Sequence, residues 1–128
     1  MSDPVPTVGV IVSHAELAAA LVGAVRTISG VEDALQSVSN EGCDPRALAE
    51  RIEAAIAGRP AVLFIDLPGG SCLASSVRLA RGRGDLAVVT GVNLAMLLDF
   101  VFHRDQPPAE AAKRALEAGG RAIRTPTV

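Results

Sequence analysis

Short apolar runs and helical stripes alternate along the whole chain. Val8-Gly-Val-Ile-Val12 has no polar interruption, the pattern of a strand buried on both faces. Leu17, Leu21, Val25 and Ile28 then recur at helical spacing, with Gly30 as a stop and Ser13 and Glu16 spaced as a capping box at the start. Ala34–Val38 predicts a second, more mixed strand. Asp44-Pro45 predicts a helix opening with Asp as N-cap, and Leu48, Ile52 and Ile56 supply its buried face before Gly58. Ala61–Ile65 predicts a third, fully buried strand, followed by the turn Leu67-Pro-Gly-Gly-Ser71 and a helix to about Gly82. Leu86–Thr90 predicts a fourth strand, and Asn93 a cap for a helix holding Met96, Leu97, Leu98 and Phe102. A last helix should open at Pro107-Pro108-Ala109-Glu110 and end at Gly119-Gly120. Arg121–Val128 is left for a short strand, which Pro126 restricts to a sheet edge.

This alternation predicts one α/β domain over residues 1–128, a doubly wound, mainly parallel sheet flanked by helices. Composition then narrows the function. The only aromatic residues are Phe64, Phe100 and Phe102, so the core is aliphatic and bases have few platforms to stack on. A formal charge of −2 supplies no attraction to phosphate backbones, and nucleic acid is not an expected partner. Met1-Ser-Asp-Pro-Val-Pro6 lacks the charged and apolar regions of a signal peptide, and two cysteines make no disulfide scaffold. With no apolar run long enough to span a bilayer, a cytoplasmic location is expected.

All strands of a parallel sheet end on one edge, where ligands of open α/β folds collect. His14, the segment Asp66 to Ser71 and the segment Gly91 to Asn93 should gather there. A histidine that takes up a phosphoryl group needs one bare, exposed ring nitrogen, which is easiest if the other donates its hydrogen to a fixed acceptor. Asp66 is the obvious acceptor. Gly69 and Gly70 let backbone N–H groups approach an anion, and Ser71 adds a hydroxyl at a helix start.

These segments resemble a known family. Val10-Ile-Val-Ser-His-Ala-Glu16, Leu63-Phe-Ile-Asp-Leu-Pro-Gly-Gly-Ser71 and Thr90-Gly-Val-Asn-Leu-Ala-Met-Leu-Leu98 are similar, in order and spacing, to three signature segments of the mannose-family enzyme IIA domain of the bacterial sugar phosphotransferase system. The resemblance implies a parallel four-stranded sheet and a homodimer in which a C-terminal strand, here Arg121–Pro126, crosses to the partner. It implies that His14 is phosphorylated by an HPr-type phosphocarrier and passes the group to an enzyme IIB. Asp66 would orient His14, and Gly69, Gly70 and Ser71 would lie beside the phosphoryl group. No metal or organic cofactor is implied, and any membrane association would be indirect, through a IIC/IID complex. The chain departs from the family in having Ser13-His14-Ala15 for Thr-His-Gly, Cys72 and Ala95 for prolines, Pro68 for a bulky residue, and Leu73-Ala74 for a segment resembling Phe-Asn. These changes alter the walls of the cradle.

Other readings stand beside this one. His14 can be a capping or solvated residue, Asp66 a turn or N-cap aspartate, and Ser71 only a helix cap. His103 reads as structural, favoured by a helix end. Cys43 and Cys72 form no metal pattern with either histidine, and Cys72 reads as packing. Arg78, Arg81 and Arg83 read as a solvated face that could meet an acidic partner. At the level of function, the alternatives are a regulatory phosphohistidine protein reporting phosphate flux, the phosphocarrier subunit of a dihydroxyacetone kinase, and a non-catalytic anion-binding module. A response-regulator receiver also has an aspartate after its third strand. It needs an acidic pair after the first strand, which Ser13-His14-Ala15 does not offer, and the only lysine, Lys113, falls in the last helix.

Overall fold

The computed structural model describes residues 5–128; Met1–Pro4, part of the segment judged unlike a signal peptide, lie outside the described residues. The elements follow the order β1 (Val8–Ser13), α1 (Leu17–Ser29), β2 (Leu35–Ser39), α2 (Pro45–Ile56), β3 (Ala61–Ile65), α3 (Ser71–Ala80), β4 (Leu86–Thr90), α4 (Leu94–Val101) and α5 (Pro108–Arg121). The four strands are parallel and lie in the order β2-β1-β3-β4.

Alternate residues of the central strands supply two cores. Val8, Val10, Val12, Leu63 and Ile65 pack against Leu48, Ile52 and Ile56 of α2 and Cys72 of α3. Ile11, Val62 and Phe64 face the other way, against Ala18 and Val25 of α1, Leu97 and Phe100 of α4, and Ala111 and Ala115 of α5. Burial on both faces is why β1 and β3 carry unbroken apolar runs. The chain places β2 on one side of β1 and then returns to place β3 on the other, so the switch point of the sheet lies between β1 and β3. The register there pairs Val12 with Ile65. The residues just beyond, His14 and Asp66, are thereby delivered to the crevice where such folds bind ligands.

Two caps form as expected. Asp44 accepts from the Ala47 N–H at 2.7 Å, and Asn93 from the Met96 N–H at 2.9 Å. Several expectations fail. The Ser13/Glu16 capping box does not form: Ser13 is the buried last residue of β1, its carbonyl accepts from the Asn40 N–H, and Glu16 caps α1 without a side-chain bond. In the α1 stripe, Val25 is buried and Leu21 half-buried, but Leu17 and Ile28 are exposed; Ala18 takes the inner position. The Gly119-Gly120 stop is also displaced, since α5 continues to Arg121. A Cβ on Gly119 would stand 2.8 Å from Met96 Cε, and its carbonyl accepts from Asn93 Nδ2 at 3.1 Å. That glycine therefore serves close helix packing rather than termination. Residues 122–128 form no strand within the single chain, because they reach neither open sheet edge.

Gly9 is the tightest position of the sheet. A Cβ there would lie 2.6 Å from Leu35 Cδ2 and 2.9 Å from Phe100 Cε2, beside the edge-to-face pair that Phe64 and Phe100 make at 5.1 Å. Gly9→Ala is expected to destabilise the fold by about 1–3 kcal/mol through overpacking. A lower urea midpoint with an unchanged slope checks it, and an unchanged midpoint would refute it.

Candidate functional site

His14 follows β1 directly and its side chain is 47% exposed, while that of Asp66, directly after β3, is 10% exposed. One carboxylate oxygen joins them. Asp66 Oδ2 accepts from the His14 backbone N–H at 3.0 Å and lies 2.7 Å from ring Nδ1. The other oxygen, Oδ1, accepts from the Leu67 N–H at 3.0 Å. A carboxylate only accepts, so the hydrogen in the short contact belongs to Nδ1. Nε2 is then the nitrogen left with a lone pair. Burial raises the Asp66 carboxyl, but the His14 ring and backbone bonds, the His14 charge and the Leu67 bond together outweigh it and hold the group below its ordinary value.

Immediately after His14 the backbone turns through Ala15 at φ +51°, the left-handed region. This turn separates the strand from α1 and explains why the helix starts at Leu17. On the opposite wall, Gly70 has φ +90° and ψ −172°, a region essentially reserved for glycine, and it is the N-cap of α3. Ser71 is therefore the first residue of that helix rather than its cap. No side chain caps α3, so its first N–H groups are free to meet an anion. Nothing crowds the Cβ directions of Gly69 and Gly70, and Gly69 to Ser71 are all exposed. The turn is close to the His–Asp pair, because the side chain of Cys72, one residue on, reaches it.

That proximity corrects the expectation that neither cysteine forms a metal pattern with a histidine, because the fold joins residues that sequence spacing keeps apart. Ligand atoms of His14, Asp66 and Cys72 all lie within 4.8 Å of one another, and Cys72 is fully buried. Burial pushes its thiol up, as does the Asp66 charge, against a smaller opposing pull from the Ser71 hydroxyl. The reading of Cys72 as packing is thus half right. It belongs to the α2/α3 core and also forms the floor of the site.

A model of the family described as "PTS system fructose IIA component" matches residues 9–117. The chain belongs to this family. Among solved structures, phosphotransferase system component EIIA from Streptococcus agalactiae superposes with a TM-score of 0.85 at 18% identity, covering 93% of this chain and 96% of that one. The mannose/sorbose specific IIA subunit from Enterococcus faecalis gives 0.81 at 22% identity, over 99% and 97% of the two chains. A sigma-54 interaction domain protein from the same organism gives 0.70 at 12% identity, over 94% of each. No curated protein matches the sequence. These likenesses share the fold found here, and their low identities carry the fold alone.

Within this IIA chain the remaining candidates lie apart from the carboxylate-bound imidazole. Asn93 spends both ends of its amide on α4 and α5. His103 Nδ1 bonds the Asp99 carbonyl one turn back, at 2.7 Å. Near it, a cavity of about 470 Å³ lies between Val5-Pro6 and Val101–Gln106, at the amino ends of the strands and away from His14.

The depressed Asp66 value fixes a sign. Its stabilisation is present above the ordinary aspartate value and is lost as pH falls through the lower folded one. Asp66→Asn should therefore be less stable than the parent near pH 6, with the gap closing below about pH 4. Urea unfolding across that range measures it; a gap independent of pH would contradict the assignment.

Proposed function

We propose that the chain is a cytoplasmic phosphocarrier, taking a phosphoryl group from the phosphohistidine of an HPr-type protein onto His14 and passing it to an enzyme IIB. The observation that carries this reading is the 2.7 Å contact between Nδ1 and Asp66 Oδ2, which leaves Nε2 as the nucleophile on a half-exposed ring. The donor's P–N bond breaks as a bond from phosphorus to Nε2 forms, and the donor imidazole recovers its lone pair. Nδ1 keeps its hydrogen throughout. The positive charge that develops on the ring faces the Asp66 carboxylate, and the same bonds run in reverse when enzyme IIB takes the group. Gly69, Gly70 and Ser71, with the uncapped start of α3, supply donors for the phosphoryl oxygens. Such transfer needs positioning and electrostatic stabilisation, which this arrangement supplies.

Exposed Leu17 and Leu67, one on either side of the His–Asp pair, suit docking of another protein rather than enclosure of a small substrate. No helix among the described residues is long and apolar enough to cross a membrane. The unpaired tail after Arg121, with Ile123 76% exposed, suits an exchanged strand in a homodimer.

Incubation with enzyme I, HPr and phosphoenolpyruvate should place one acid-labile phosphate on the chain. His14→Ala should abolish it, and Asp66→Ala should slow it by on the order of 100-fold or more by releasing the tautomer. Absence of label on the parent, or undiminished label on His14→Ala, would overturn the reading. Label that no enzyme IIB removes would replace carriage by a reporting role.

A further inference from the structure

We propose that His14, Asp66 and Cys72 form a binding site for a divalent transition metal, with zinc as the best-fitting ion, and that the bound metal holds His14 in a form unable to accept a phosphoryl group. The three side chains offer nitrogen, oxygen and sulfur within 4.8 Å of one another. Tetrahedral zinc with bonds of 2.0–2.3 Å sets its ligands roughly 3.3–3.8 Å apart, so the 2.7 Å contact of Nδ1 with Asp66 Oδ2 opens by about half an ångström as Cys72 is drawn in from within 4.8 Å. Thiolate, imidazole and carboxylate together favour zinc over the hard cations magnesium and calcium. The supports that orient metal ligands are already present. The carboxylate is held by the backbone N–H groups of His14 and Leu67, and Cys72 is fixed in the first turn of α3 against the core. The half-exposed imidazole leaves the fourth position open to water.

The second half of the proposal rests on the phosphocarrier reading and follows from which nitrogen faces the carboxylate. Only Nδ1 does, at 2.7 Å, so a metal between the two takes the place of the hydrogen they share. Neutral imidazole then carries its hydrogen on Nε2 and has no lone pair there. One proton leaves the Cys72 thiol for solvent and none leaves the ring in net. Metal and phosphoryl group become mutually exclusive on His14, although they bind different nitrogens.

The binding half is tested without any phosphoryl donor. Metal-free protein titrated with zinc in a calorimeter should take up one equivalent. His14→Ala and Cys72→Ser should each weaken binding by more than the roughly 10–100-fold that loss of an outer-shell partner costs. Cys43→Ser should bind as the parent does. Cobalt in place of zinc should give a thiolate charge-transfer absorption in the parent and in Cys43→Ser, and none in Cys72→Ser. Circular dichroism monitors the fold, with Cys72→Ala as a second variant. No uptake by the parent, or equal affinity in a folded Cys72 variant, would overturn the site.

For the second half, the ratio of phosphorylation rates with and without one equivalent of zinc should fall at least 10-fold for the parent, recover with chelator, and stay near one for Cys72→Ser. That variant also controls for zinc acting on the donor proteins. A parent rate indifferent to saturating zinc would overturn the block. If His14 is not a phosphoryl acceptor, labelling fails with or without zinc while the binding result stands, so the two failures are distinguishable.

Discussion

The structure of the site depends on one oxygen atom. Asp66 Oδ2 receives two hydrogen bonds from the same residue, one from the His14 backbone and one from its ring, and so fixes where the imidazole lies and which of its nitrogens is bare. Neither bond would exist if β1 and β3 were not neighbours in register, Val12 beside Ile65. That adjacency comes from the winding of the sheet, which brings residues 52 positions apart into contact at its switch point. Gly9 contributes at the other end, letting Leu35, Phe64 and Phe100 close over the sheet without displacing it.

The surroundings divide the labour. A carboxylate at 10% exposure is close enough to solvent to stay charged and sheltered enough for its bonds to count. Opposite, Gly70 adopts a conformation that side chains avoid, and the uncapped helix behind it presents N–H groups to the same space. On the proposed function, a phosphoryl group on Nε2 would have the N–H groups of α3 as donors and the Asp66 carboxylate as counter-charge to the ring. At position 72 the resemblance drawn from the sequence implies a proline, and this chain has a cysteine. The replacement puts a thiol, a potential soft ligand, within reach of the histidine and aspartate.

Most of the fold was legible because its strands are short, aliphatic and bounded by strong punctuation. Asp44-Pro45, Asn93 and Pro107-Pro108 open helices where the sequence says they should. The errors come from positions where tertiary structure assigns a residue another task. Ser13 has the spacing of a cap, but the β1 ladder claims it and turns its hydroxyl inward, where no partner among the described residues meets it. Gly119 looks like a terminator because glycine usually is one, whereas it lies inside α5 with Met96 and Asn93 packed close against it. The His14–Asp66 pair could be anticipated from strand ends alone. Cys72 was legible as part of the cradle wall but not as a ligand: it follows the turn by one residue, and sequence spacing does not show that its sulfur comes within 4.8 Å of His14 and Asp66.

The central claim is that a carboxylate fixes the tautomer of one imidazole. Long-range proton–nitrogen correlation NMR of the unphosphorylated, metal-free protein, with His14 assigned through His14→Ala, reads this directly. The account predicts a protonated Nδ1 and a bare Nε2 in the neutral ring, with the pattern lost in Asp66→Ala. A His14 ring protonated on Nε2, or one averaging freely between tautomers, would contradict it.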